Sequence, residues 1–131
     1  MANTKSKAHK RRGYTAADKR AIKIHLTALC DMGCIPCFIV DQVSVAGVHH
    51  IRQGLGMGQR SSDLRTLGLC YEHHQSEARD HVSIHGKPKL CRFLFSTELD
   101  LLTHTLDQLY PDGIYPSEYT EKIVDELNSY R

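Results

Sequence analysis

Two short stretches decide how this chain folds: GCIPC at residues 33–37 and TLGLCYEHH at residues 66–74. The first holds a C-x2-C knuckle, Cys34 and Cys37, which can bring two sulfurs onto one ion with little backbone strain. The second holds C-x2-H, Cys70 and His73, at positions i and i+3 of a predicted helix and hence on one face of it. Four soft or borderline ligands with no open position make a closed, structural zinc site. Such a site would clamp the knuckle to the helix. Buried reduced thiols are the alternative, and the two matched spacings argue against it. Cys30 could replace His73 in an all-sulfur site, but its place on the apolar side of the preceding helix favours a buried thiol, and Cys91 reads the same way.

Outward from this frame, Thr15 predicts a helix cap and Gly33 a helix stop, with the helix running to about Met32 between them. Phe38 to Ile51 is rich in Val and Ile and reads as a β-ribbon ending in Val48-His49-His50-Ile51. Residues 52–63, RQGLGMGQRSSD, have no period and three glycines, so they read as a loop. Gly54, Gly56 and Gly58 fit neither the dinucleotide nor the P-loop pattern. Leu64–Leu69 predicts a second strand and Cys70 to about Asp80 a helix, ending before Pro88. Two further helices follow, from Ser96 or Thr97 through the leucines up to Leu109, and over Ser117–Tyr130. The expected class is α+β: a small zinc-stabilised core with one N-terminal and two C-terminal helices.

The chain has 131 residues, no Trp, five Cys and nine His. That length predicts one domain, residues 14–131, preceded by a basic disordered arm, residues 1–13. No run of 18 or more apolar residues exists, so no membrane span is expected. The polar, basic start lacks the apolar core of a secretory signal, which points to a cytoplasmic setting where cysteines act as ligands. The formal charge of +2 conceals an asymmetry: residues 1–30 carry +7 and the remainder −5. A basic arm suits a phosphate backbone, and it equally suits a solvated tail.

The histidines need a local explanation. His49 and His50 end the predicted ribbon, His74 follows the ligand His73, and His81 and His85 come shortly after. On a helix His74 points about 100° from His73, so the two naturally serve different ions. Three neutral imidazoles on a divalent ion leave positions open, the mark of a catalytic rather than a structural site. Arg52, Arg60 and Arg65, with Arg11 and Arg12 of the arm, are the candidates for phosphate contact. Surface charge that merely solubilises is their other reading.

The ordered segments GCIPC (33–37), VHHIRQGLGMGQR (48–60), TLGLCYEHH (66–74) and HGKP (85–88) resemble the HNH nuclease superfamily with its ββα-metal core. More closely, the run from Gly33 to about Leu102 is similar to the Ref family, phage recombination-enhancement nucleases that depend on a recombinase filament. The resemblance covers about half of the chain. It implies a phage-encoded DNA endonuclease working beside a RecA-type filament in the bacterial cytoplasm. It also implies His50 as general base and His49 and His74 as ligands of a catalytic divalent ion (Zn²⁺, Mg²⁺ or Mn²⁺), with His85 as third ligand. The motif's middle Asn, which steadies the base imidazole, is missing between the two His pairs, and Asp63 is the positional substitute. That departure keeps a second reading open: a non-catalytic, zinc-stabilised DNA-binding module with a degenerate centre. A structural zinc protein that bridges partners would leave the histidines unexplained.

Overall fold

In the computed structural model, residues 13–59 and 61–131 are described; the arm's Arg11 and Arg12, and Arg60, lie outside them. Helix α1 spans Ala16–Met32 and is closed at both ends by its own sequence. The Thr15 hydroxyl accepts from Asp18 N at 3.1 Å and an Asp18 oxygen accepts from Thr15 N at 2.8 Å, a reciprocal capping box. Asp18 also accepts from the Thr120 hydroxyl at 2.5 Å and lies 3.2 Å from Lys122 Nζ. These bonds, the one from Thr120 foremost, hold its carboxyl down at about 2. The same carboxylate thus ties the start of α1 to the start of the last helix.

A five-residue helix, α2 (Ile35–Ile39), opens at the knuckle. Strands β1 (Gly47–His50) and β2 (Thr66–Leu69) pair antiparallel, with His49 opposite Leu67 and His50 opposite Thr66. A single turn, α3 (Tyr71–His74), follows β2 directly. Then come α4 (Pro88–Phe95), α5 (Glu98–Leu109), a 3-10 turn at Pro111–Gly113 and α6 (Glu121–Asn128). The fold is α+β: a two-stranded sheet among helices.

The core forms where α1, β2, α5 and α6 meet, through Ala21, Ile22, Leu67, Leu102, Leu106 and Ile123. Burying each leucine or isoleucine side chain contributes about 1.5–3 kcal/mol. All four residues of β2 are buried, so this strand is covered on both faces. Gly68 permits that: a Cβ there would stand 2.7 Å from the Gly33 carbonyl oxygen and 3.2 Å from that of Leu29. Gly33 itself has φ 88°, in the region that favours glycine, and ends α1.

Five elements differ from the sequence expectation, the smallest shift being in β2, which begins at Thr66 rather than Leu64. The ribbon expected over Phe38–Ile51 is a strand only over Gly47–His50. After the knuckle the chain keeps turning, with Phe38 N donating to Cys34 O at 2.9 Å and Gln42 N to Cys37 O at 2.8 Å. Val43 and Val45, which read as strand residues, are 97% and 91% exposed. The helix expected over 70–80 stops after one turn. The carbonyls of His73 and His74 accept instead from Ile84 N (2.9 Å) and His85 N (3.1 Å), so the returning chain takes the acceptors a longer helix needs. A third C-terminal helix, α4, begins with Pro88 at its first position, where proline's missing N–H costs nothing. The last helix is shorter than Ser117–Tyr130, starting after Thr120.

Candidate metal centres

Cys34, Cys37, Cys70 and His73 converge on one point, buried or half-buried. Cys34 and Cys37 flank the start of α2, Cys70 is the residue before α3, and His73 lies within α3. The sulfurs of Cys34, Cys37 and Cys70 stand 3.3, 3.4 and 3.3 Å from His73 Nδ1, and the Cys37 and Cys70 sulfurs are 3.8 Å apart. A tetrahedral zinc with Zn–S of about 2.3 Å and Zn–N of about 2.0 Å requires edges of about 3.8 Å for S–S and about 3.5 Å for S–N. The donor set therefore fits, and this cluster could hold a metal ion such as zinc. Cys30 is outside it, and Cys91 is buried elsewhere.

Around the four donors, Ser44 Oγ donates to the Cys37 sulfur at 3.2 Å and the Phe95 ring packs edge-on to His73 at 5.4 Å. Burial pushes the Cys34 thiol up to about 12 and the Cys37 thiol upward too. Burial also raises Cys70, but hydrogen bonds led by the His73 backbone outweigh it and leave that thiol lowered. His73 is lowered by burial, which keeps its imidazole neutral and able to ligate.

The second cluster is His49, His74 and His85. Their ring centroids form a near-equilateral triangle with sides of 4.9, 5.2 and 4.9 Å. His49 Nδ1 and His74 Nε2 are 3.2 Å apart, against about 3.3 Å between nitrogens sharing a tetrahedral ion. His49 reaches the cluster from the buried face of β1, His74 from α3, and His85 through the backbone bonds that return residues 84–85 to α3. Burial lowers His74, and the neighbouring His49 and His85 lower it further, so the neutral, ligating form prevails. Burial falls from His49 through His74 to the exposed His85, which leaves one side open to solvent.

His50 lies on the opposite face of β1, with its side chain 46% exposed, and its Nε2 is 3.0 Å from Asp63 Oδ1. Asp63 enters from the end of the glycine-bearing loop, just before β2. Arg52 donates to the carbonyls of Gln59 and Gly56. Arg65 donates to the Gln53 carbonyl and lies over the Tyr130 ring at 5.8 Å. Both guanidiniums thus hold backbone carbonyls of the 52–59 loop, Arg52 from within it and Arg65 from beside it. His81 joins neither cluster: its Nδ1 is 2.7 Å from Ser76 Oγ and its Nε2 3.6 Å from Glu72.

One participant carries no signal in the sequence. Glu98, the first residue of α5, places Oε2 2.6 Å from His49 Nε2, on the ring edge away from His74. It lies 24 residues beyond His74 and outside every motif. Among the described residues, no helix is long and apolar enough to cross a membrane. No protein-family model matches this chain, and no curated protein is significantly similar to it.

Proposed function

We propose that this chain is a metal-dependent DNA endonuclease of the HNH (ββα-metal) kind, similar to the Ref nucleases. The observation that carries the reading is that two adjacent residues at the end of β1 carry, on its two faces, a three-imidazole cluster and a His–carboxylate pair. The order β1, loop, β2, α3 with ligands at the end of β1 and in α3 is a further support, since it is the order the ββα-metal resemblance implies.

In this reading the Cys34, Cys37, Cys70 and His73 site holds structural zinc, and His49, His74 and His85 hold a second divalent ion, Zn²⁺, Mg²⁺ or Mn²⁺. When bound, that second ion supplies charge stabilisation at the phosphate and at the departing 3′ oxygen. Asp63 accepts the Nε2–H of His50, which fixes the tautomer and leaves Nδ1 as the base nitrogen. His50 Nδ1 takes one proton from water as the water oxygen bonds to phosphorus and the P–O3′ bond breaks. A 5′ phosphate and a 3′ hydroxyl result, the latter protonated from solvent. The basic arm and neighbouring arginines then hold flanking phosphates. A phage origin, a RecA-type filament as partner and action in the bacterial cytoplasm belong to the same reading through its Ref likeness.

The test is His50→Ala assayed on DNA with a RecA-type filament and Mg²⁺ or Mn²⁺. Cleavage should fall by at least about 10²-fold, in keeping with the loss of a general base, while both metal contents stay at the wild-type level. Cleavage at the wild-type rate would refute His50 as base. DNA binding by the wild type without cleavage under any of these conditions would favour the non-catalytic zinc module.

A further inference from the structure

We infer that Glu98 is a positioning residue for the three-histidine site: it accepts the Nε2–H of His49 and so makes Nδ1 the metal-facing donor. The inference rests on the reading that this cluster holds a divalent ion. A carboxylate can only accept, so the 2.6 Å contact between Glu98 Oε2 and His49 Nε2 requires the proton on Nε2. The lone pair then sits on Nδ1, the nitrogen 3.2 Å from His74 Nε2. The two ring nitrogens face different neighbours, which places Glu98 behind the ligand rather than beside the ion.

Three features make this contact a built one. His49 is only 5% exposed, so the hydrogen bond is sheltered from competing water. Glu98 opens α5, where the helix dipole favours a negative charge, and the preceding Thr97 caps the helix by accepting from Asp100 N at 3.1 Å. The loop after β1 reaches the same helix end, with Gln53 Oε1 accepting from Leu99 N at 3.3 Å. The segment that follows His49 and the helix that carries Glu98 are therefore bonded together independently of the His49–Glu98 contact. Carboxylates that accept from a ligating imidazole fix its orientation and raise its basicity, and losing one typically costs 10–100-fold in metal affinity.

The experiment uses full-length protein preloaded with one zinc per chain and titrated with Co²⁺, followed by its d–d absorption. A thiolate-to-cobalt band would reveal any entry into the cysteine site. Glu98→Ala should bind Co²⁺ about 10–100-fold more weakly than wild type. Glu98→Gln, whose amide oxygen can still accept from Nε2, should recover part of that loss. Both variants should retain their structural zinc. Wild-type affinity in Glu98→Ala would overturn the role, and so would a Glu98→Gln as weak as Glu98→Ala, which would point to direct ligation. Wild-type protein that takes up no Co²⁺ beyond its zinc, like a His74→Ala control, would instead overturn the reading of the cluster as an ion site.

Discussion

His73 and His74 are neighbours in one helical turn and belong to different clusters. His73 faces three sulfurs in a setting that buries Cys34 and Cys37 and is roofed by Phe95. His74 faces two imidazoles, with the exposed His85 at the edge. The first set completes a tetrahedron from protein atoms alone, whereas the second supplies three donors and leaves room for others. Ligand count and softness, rather than position in the fold, are what would distinguish a closed metal site from an open one.

The largest expected difference between the two lies in folding. Where a four-donor site holds structural zinc, its binding energy is folding energy, on the order of 10 kcal/mol for small zinc domains, and Cys37→Ser would remove one of the four donors. That variant should be zinc-poor and unfolded by circular dichroism. A folded, zinc-free Cys37→Ser protein would erase the contrast.

Acid gives a smaller effect that belongs to neither cluster. His25 is fully buried, with Nδ1 2.6 Å from the Tyr110 hydroxyl, and burial holds its pKa down at about 4. An unfolded chain would protonate this residue near 6.5, so the folded state loses stability as pH falls from about 6.5 to about 4. At about 1.4 kcal/mol per pH unit the loss is about 3 kcal/mol. His25→Leu should flatten that part of the stability profile, because Tyr110 keeps its 2.8 Å bond to the Tyr119 hydroxyl. An unaltered profile in denaturant titrations across this range would assign the acid sensitivity to the metal clusters.

The smallest effect on folding should come from the open site. His74→Ala should lower the metal content from two ions to one in elemental analysis. Its stability should stay within about 1 kcal/mol of wild type, as expected for a half-exposed side chain. An equal loss of stability in His74→Ala and Cys37→Ser would make the two clusters one cooperative unit.

Much of this arrangement was readable from residues close in sequence. The cap at Thr15, the stop at Gly33 and the two x2 spacings depend on local geometry, and each stands where local geometry puts it. The contacts that depend on chain return were not readable. Nothing near Gln75 announces that Ile84 and His85 will take over the acceptors of α3, and nothing near Glu98 names His49 as its partner. The valines at 43 and 45 misled because β-branched composition signals a strand only when a neighbour covers it. Asp63 stands between these cases: its position in the motif nominated it, and only the fold could bring it 3.0 Å from His50.

The pair of backbone bonds from Ile84 and His85 to α3 has a consequence for how this chain can be edited. Ser76 and Ser83 close the base of the excursion between them, Ser83 Oγ donating to the Ser76 carbonyl at 2.7 Å. Residues 77–80 beyond that closure are exposed. Loop length adds little entropic cost once the ends are fixed. The excursion is thus the place where an inserted reporter peptide would disturb the position of His85 beside His74 least, at the cost of the bonds that Lys87 donates to the Ala78 and Arg79 carbonyls.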